Sequence, residues 1–227
     1  MSSAPDRPGN GVLFDVDGTL VDTNYLHVVA WWQAFRAYGH QVSMRELHRL
    51  VGQGSERLVT SVLGHPDAEV AAAHSDFYGP ELHRLPAFPR AADLLRAVKG
   101  AGATVVLATS ASEEETRHLR RAIDADDVID AVTHSDDAEE SKPDPDIVET
   151  ALAKVGLAAD HAIFVGDTVW DVEAARRAGL DCVCVLSGGI GEAELREAGA
   201  VAVYRDVAHL LEGLDASPLA RVTRPAA

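Results

Sequence analysis

The sequence of 227 residues has few cysteines, a deficit of positive charge and no long apolar run. It contains 20 Lys and Arg against 36 Asp and Glu, a formal net charge of -16, which argues against nucleic acid or an anionic membrane surface as a partner. No apolar run approaches the roughly 18 residues of a membrane-spanning helix, and no secretory signal pattern is apparent. We therefore expect a cytoplasmic protein with no nucleic-acid or membrane partner.

Only two cysteines are present, Cys182 and Cys184, in the apolar stretch DCVCVL. On a strand this spacing puts both side chains on one face, where they cannot easily form a disulfide with each other. No second cluster completes a zinc-binding pattern. We interpret both as buried small hydrophobic residues, which fits a reducing compartment.

Apolar runs alternate with helical patterns from about residue 87 onward. Continuous apolar strands between amphipathic helices are typical of a parallel sheet that is covered on both faces. The predicted strands are VLFDVD, TVVLAT, HAIFVGD, DCVCVL and VAVYRD. The pattern indicates an α/β protein with a Rossmann-like, doubly wound parallel sheet.

The pattern is different between residues 21 and 84, where helical stretches follow one another without a convincing strand. Pro86 and Pro89, just after this region, would stop a helix and stiffen the connection. We therefore predict an α/β core made of residues 1–20 and 85–227, with an inserted α-helical subdomain at residues 21–84.

The stretch VLFDVDGTL places Asp15 and Asp17 where the first predicted strand ends. Residues i and i+2 of a strand share a face, so these two carboxylates should lie in the same space. Two like charges there repel unless a cation lies between them or one keeps its proton. Either outcome is chemically useful, which makes this pair a candidate site.

Other polar side chains follow further predicted strands. In open parallel sheets, ligands bind outside the carboxyl ends of the strands. Asp171 lies four residues after Asp167, on the same face of the helix that begins there. The segment SKPDPD adds Lys142. The residues that this rule brings to one edge are Asp15, Asp17, Thr109, Ser110, Asp167 and Asp171.

Several carboxylates at one edge repel one another, and a hard divalent cation would relieve that repulsion. Mg²⁺ prefers oxygen ligands and is usually held by one or two carboxylates plus substrate phosphate. Lys142 and the Thr109 hydroxyl would supply a charge and a donor for that phosphate. Gly18 allows a sharp turn whose amides could contact anionic oxygens. The sequence therefore predicts Mg²⁺ and a phosphorylated ligand here.

Four short motifs occur in order, namely DVDGT at Asp15 to Thr19, LATS with Thr109, KPDPD from Lys142, and GDTVWD with Asp167 and Asp171. In this order they resemble the four signature motifs of the haloacid dehalogenase-like hydrolase superfamily. The helical region after the first motif resembles the α-helical cap of the phosphoglycolate phosphatase and β-phosphoglucomutase branch. The resemblance spans nearly the whole chain.

The resemblance implies a role for each matching residue. Asp15 would be the nucleophile that accepts the phosphoryl group as an aspartyl-phosphate, and Asp17 would protonate the leaving group and later deprotonate water. Mg²⁺ would be bound by Asp15, the backbone carbonyl of Asp17 and Asp167, with Asp171 in contact with it or just beyond. The residues expected to contact the phosphoryl group are Gly18, Thr109, Ser110 and Lys142.

Each candidate also has an ordinary structural interpretation. Asp-Gly pairs are common in turns. Thr109 or Ser110 could cap the helix that begins near Ser112, a role compatible with phosphate binding. Lys142 could be a solvated lysine, and Asp171 could be a first-turn acid favoured by the helix dipole. The occurrence of all four motifs in order favours the functional interpretation.

His27 and Trp31 lie four residues apart on one face of the first helix of the insert, close to the first motif. The resemblance suggests that they line the substrate cleft, whereas Trp31 could equally pack in the core between helices. The remaining histidines show no ligand spacing and are interpreted as surface or core residues; examples are His40, His48, His65 and His74.

The leading hypothesis is a Mg²⁺-dependent phosphatase of a small phosphorylated metabolite, either phosphoglycolate or a sugar phosphate. The superfamily's dehalogenases lack the second aspartate, and its phosphonatases need a lysine in the cap, where residues 21–84 contain none. A β-phosphoglucomutase-like enzyme stays open, although its usual cap arginine has only Arg57 as a displaced counterpart. A non-catalytic phosphometabolite-binding protein would be expected to carry a broken motif. The oligomeric state is left as monomer or homodimer.

Overall fold

Six parallel strands form a single sheet in the computed structural model, which describes residues 9–138 and 140–223. The strand order is β3-β2-β1-β4-β5-β6. The strands are β1 (Gly11–Phe14), β2 (Thr104–Ala108), β3 (Ala131–Thr133), β4 (Ala162–Gly166), β5 (Asp181–Val185) and β6 (Ala202–Tyr204). The sequence did not predict β3, because three residues at a sheet edge are too short for a period to show.

Eleven α-helices surround or extend this sheet within the described residues. Those before β2 are α1 (Asn24–Ala37), α2 (Met44–Leu50), α3 (Ser55–Leu63), α4 (Ala68–Tyr78) and α5 (Ala91–Gly100). Those after β2 are α6 (Glu113–Ile123), α7 (Asp146–Val155), α8 (Val169–Arg177), α9 (Glu192–Ala198), α10 (Val207–Glu212) and α11 (Ala220–Thr223). The last two are short and were not predicted from the sequence.

The two faces of the sheet pack against different helices. Val12 and Phe14 of β1 belong to a hydrophobic cluster that includes residues of α5, α6 and α10, whereas Leu13 belongs to a second cluster with α7, α8 and α9. The alternation of side chains along a strand explains this division. The fold is therefore the doubly wound α/β arrangement that the sequence predicted, with its apolar strands buried on both sides.

The helical segment, defined here as residues 24–84, contains α1 to α4 and a 3-10 helix at Gly79–Arg84, and no residue of it lies in a strand. It has a hydrophobic cluster of its own, which includes Trp31, Phe35 and Leu47. The connections into and out of it run side by side, since Asp22 N donates to Pro86 O at 3.0 Å and Phe88 N to Leu20 O at 2.9 Å. The segment therefore leaves and rejoins the sheet region at one place.

The cysteines of β5 are buried and free, with their sulfur atoms 3.8 Å apart, as expected for small hydrophobic residues. Within the described residues, no helix is both long enough and apolar enough to cross a membrane. Of the predicted core domain, residues 1–8, 139 and 224–227 lie outside the described residues.

Candidate active site

The candidate site lies at the carboxyl edge of the sheet. Asp15 follows β1, Thr109 follows β2 and Asp167 follows β4, so parallel neighbours in the sheet bring them together. Lys142 reaches the same place from the segment before α7. Its Nζ donates to Asp15 Oδ1 at 2.5 Å. Residues that are far apart in sequence thus meet at one edge, as the strand-end rule predicts.

Lys142 is a buried cation, only 1% exposed, rather than a solvated lysine. Its Nζ forms an ion pair with Asp171 Oδ1 at 2.8 Å and donates to Ala108 O at 3.2 Å. Burial alone would lower the pKa of Lys142, but Asp15 and Asp171 outweigh burial and raise it. The ammonium group therefore stays charged and holds two carboxylates in place.

Three buried carboxylates, those of Asp15, Asp167 and Asp171, each offer an oxygen within 4.8 Å of the others. Burial raises the pKa of Asp15 to about 8, although the charge of Lys142 opposes this. Burial, together with Asp171 and Asp15, raises the pKa of Asp167 well above its usual range. Three carboxylates thus lie close to a single ammonium group, that of Lys142, and an all-oxygen donor set of this kind fits a hard divalent cation.

Asp171 combines the two roles considered for it. Its Oδ2 accepts hydrogen bonds from Thr168 N at 3.0 Å and Thr168 Oγ1 at 2.7 Å, which closes a capping box at the start of α8. Its Oδ1 contacts Lys142. Asp171 is therefore both the capping acid of α8 and a member of the cluster of three carboxylates.

Two residues outside the predicted site residues hold the carboxylate of Asp167. Thr19 Oγ1 donates to Asp167 Oδ1 at 3.1 Å, and Asn24 Nδ2 donates to Asp167 Oδ2 at 2.8 Å. Gly18, with φ +75°, lies beside them, and a Cβ there would come within 2.3 Å of Asn24 Nδ2. The glycine thus permits both the turn and the close approach of α1.

Asp17 does not belong to the cluster of three carboxylates and has hydrogen-bond partners of its own. Thr23 Oγ1 donates to Asp17 Oδ1 at 2.7 Å, and Thr109 Oγ1 donates to Asp17 Oδ2 at 3.1 Å. His27 Nε2 lies 3.4 Å from Asp17 Oδ1. Burial raises the pKa of Asp17, but the hydrogen bonds from His27, Thr23 and Thr109 outweigh burial and lower it. In this arrangement Asp17 is ionised, which is the state of a general base.

His27 is held from its other side by His74, which was predicted from the sequence to be a surface or core residue. His27 Nδ1 lies 3.2 Å from His74 Nε2, and His74 stacks on Trp31 with ring centroids 4.0 Å apart. His74 is 4% exposed, and burial followed by the charge of His27 lowers its pKa well below the usual value. Trp31 belongs to the hydrophobic cluster of the helical segment and also lines the site, so both of its interpretations apply.

Two adjoining cavities open from these residues between the helical segment and the sheet region. The smaller, of about 70 Å³, is lined by Asp15, Asp17, His27 and Trp31, among others. The larger, of about 640 Å³, shares Ser110 with it. The Ser110 hydroxyl oxygen is buried and has no hydrogen-bond partner among the described residues. Helix α6 is capped by Ser112, not by Thr109 or Ser110, so neither of these hydroxyls is used there.

Comparison with known proteins agrees with this geometry. A family model described as haloacid dehalogenase-like hydrolase matches residues 12–185. Protein CbbY of Cereibacter sphaeroides is 32% identical over 224 residues, covering 90% of this chain and 96% of that protein. A phosphoglycolate phosphatase of Caulobacter vibrioides is 31% identical, and the match covers 83% of this chain and 84% of that protein. A crystal structure of a hydrolase from Pseudomonas syringae superposes with a TM-score of 0.86 at 32% identity. The superposition covers 91% of this chain and 98% of that one. The predicted fold class is thereby confirmed.

Proposed function

The chain belongs to the haloacid dehalogenase-like hydrolase family, and we propose that it is a Mg²⁺-dependent phosphatase of a small phosphorylated metabolite. The observation that carries the proposal is the Asp15 carboxylate, which Lys142 holds at 2.5 Å beside Asp167 and next to a cavity that Asp17 also lines. A phosphatase named for phosphoglycolate among its relatives supports the enzyme class, a phosphoric monoester hydrolase.

In the proposed reaction an oxygen of Asp15 attacks phosphorus, and the bond from phosphorus to the leaving oxygen breaks. The products of this step are an aspartyl-phosphate and the free alcohol. Lys142 fixes the orientation of the Asp15 carboxylate and contributes positive charge beside the phosphoryl group. Mg²⁺, held by Asp15, Asp167 and the backbone carbonyl of Asp17 with Asp171 nearby, would neutralise charge on the phosphoryl oxygens. Gly18, Thr109 and Ser110 would contact those oxygens.

Asp17 handles the protons of both steps in this proposal. It gives a proton to the leaving oxygen, and it takes one from the water that then attacks the aspartyl-phosphate and releases Asp15 and inorganic phosphate. Its hydrogen bonds favour the ionised state, so the acid role requires that bound substrate raise its pKa. A phosphoryl dianion near Thr109 would do this by repulsion and by competing for the Thr109 hydroxyl.

We further propose that the helical segment, within the predicted insert at residues 21–84, acts as a cap. Residues of this segment, including His27, Trp31 and Gly54, line the smaller cavity together with Asp15 and Ser110 of the sheet region. A site bounded from both sides excludes bulk water and selects the leaving group. It suits a small metabolite better than a phosphoprotein.

The test is phosphate release from about fifty phosphorylated metabolites, with Mg²⁺ and with a chelator. Asp15→Asn deletes the nucleophile and keeps its shape, so we expect turnover to fall by at least about 10³-fold while the fold is retained. Asp22→Asn is the matched control, because Asp22 is an exposed acid in the same motif region. Undiminished turnover by Asp15→Asn would refute the mechanism.

The same assay separates the two other hypotheses. A mutase would release no phosphate and would convert β-glucose 1-phosphate into glucose 6-phosphate when a bisphosphate activator is present. A binding protein would be inactive in both assays.

A further inference from the structure

The larger cavity, of about 640 Å³, has a lining that differs from that of the smaller one. It contains eight hydroxyl side chains, three glutamates and one arginine among the described residues. Its volume falls within the range of small-molecule sites, about 300–1,000 Å³. It shares Gly54, Ser55, Ser110 and Glu115 with the smaller cavity, which contains Asp15. A group attached to a phosphate at Asp15 would therefore extend into it.

The charge of the lining arginine, Arg57, is already used. Its Nη2 contacts Asp144 Oδ2 and lies 3.8 Å from Glu140 Oε2. Asp144 is in turn bound from the other side by Arg177, whose Nη1 donates to Asp144 Oδ1 at 2.8 Å. Arg57 thus ties α3 to the loop before α7 and has carboxylate partners on that side. It is the only positively charged lining residue among those described.

The negative charges of the lining are Glu56, Glu115 and Glu140. With one arginine against three glutamates, the described lining carries an excess of negative charge. A carboxylate or a second phosphate on the leaving group would meet these glutamates without an unpaired cation to receive it. Hydroxyl side chains, by contrast, both donate and accept, and so can match the hydroxyls of a polyol.

We propose that the larger cavity selects an uncharged, polyhydroxylated leaving group, so that the enzyme prefers phosphate monoesters of neutral sugars or polyols. It disfavours substrates that carry a carboxylate or a second phosphate, phosphoglycolate included. The inference rests on the proposed phosphatase activity. It also distinguishes this chain from the relative that is named for phosphoglycolate.

The experiment compares three open-chain substrates of six carbons. Sorbitol 6-phosphate and 6-phosphogluconate differ in one carboxylate, and hexyl phosphate lacks the hydroxyls altogether. We expect kcat/KM for sorbitol 6-phosphate to exceed that for each of the others by at least about tenfold. Phosphoglycolate serves as a fourth substrate and should be poor. Equal or better turnover of 6-phosphogluconate, hexyl phosphate or phosphoglycolate would overturn the inference.

A variant that removes one negative charge tests whether the glutamates of the lining disfavour a charged leaving group. Glu56→Gln should raise the ratio of kcat/KM for 6-phosphogluconate to kcat/KM for sorbitol 6-phosphate by about three- to tenfold. Glu69→Gln is the control, because Glu69 is also a first-turn acid of a helix in the helical segment, is exposed and does not line the cavity. A ratio unchanged by Glu56→Gln would contradict the electrostatic argument.

Hydrolysis of p-nitrophenyl phosphate separates a failure of the proposed function from a failure of the inference alone, since its aryl leaving group needs no hydroxyl partners. Mg²⁺-dependent hydrolysis that Asp15→Asn abolishes would establish the phosphatase independently of the larger cavity. With that activity present, a missing preference for sorbitol 6-phosphate would overturn only the inference. No hydrolysis of any substrate would overturn the proposed function and the inference together.

Discussion

His27 Nδ1 lies 3.2 Å from His74 Nε2, although the two histidines are 47 residues apart and belong to α1 and α4. Since His27 Nε2 faces the Asp17 carboxylate at 3.4 Å, a proton on that nitrogen lets Nδ1 accept from His74. His74 Nδ1 then carries no proton, which fits its burial without a partner among the described residues. His74 thereby holds His27 in the tautomer that donates to Asp17.

His74→Phe should impair proton transfer by Asp17 because the ring stack is kept while the Nε2 donor is lost. We expect kcat for an alkyl phosphate to fall by about 3- to 30-fold with little change in KM, and kcat for an aryl phosphate to fall less. His74→Gln, which keeps a donor, should recover part of the loss. His65→Phe, at an exposed histidine, is the control. Equal losses on both substrates would indicate a purely structural role.

Asp17→Asn should affect poor leaving groups most. The amide retains the contacts with Thr23 and Thr109 but cannot deliver a proton to the leaving oxygen. We expect kcat for an alkyl phosphate to fall by about 10²–10⁴-fold. For p-nitrophenyl phosphate, the rate of the first step, measured by burst kinetics, should fall clearly less. A burst rate reduced to the same extent for both would count against the acid role.

Lys142→Met should destabilise the fold because it leaves Asp15 and Asp171 buried without their cation. The expected loss in free energy of unfolding at pH 8 with a chelator is about 3–5 kcal/mol. Added Mg²⁺ should restore part of it by supplying positive charge to the same carboxylates. Lys99→Met, which removes the surface pair with Asp130, should cost less than about 1 kcal/mol. Urea unfolding measures the loss in free energy of unfolding for both variants. Equal losses would show that burial of the ion pairs of Lys142 does not matter for stability.

Stabilisation by Mg²⁺ should increase with pH. Burial raises the pKa of Asp15 to about 8, so without a cation its carboxyl carries a proton below that pH. The cation must displace this proton, so its affinity rises as the pH rises towards 8 and levels off above. The raised pKa also means that the metal-free fold loses stability over the same range, because the ionised carboxyl is costly there. Thermal unfolding with and without MgCl₂ between pH 6 and 9 measures the Mg²⁺ affinity and the stability of the metal-free fold. A pH-independent Mg²⁺ affinity would be inconsistent with this linkage.

Local sequence patterns were sufficient to predict the parallel sheet and the residues at its carboxyl edge. β1, β2, β4, β5 and β6 were found within a few residues of their bounds, because each is a run of apolar residues between helices. Asp15 and Asp167 were predicted because strand direction alone brings strand ends together, whereas Lys142 was added from the segment SKPDPD. The short elements β3, α10 and α11 were not predicted, because a few residues do not establish a period of apolar residues.

The sequence by itself determined which carboxylates lie at the carboxyl edge of the sheet, because an apolar strand and the acid that follows it are neighbours in the chain. Only the tertiary structure decided what surrounds that edge. The contacts of His74 with His27, of Asn24 with Asp167 and of Arg57 with Asp144 join residues whose separation in sequence carries no signal. They arise where the helical segment packs back onto the sheet region, and side-chain packing between distant elements has no period for a sequence pattern to show.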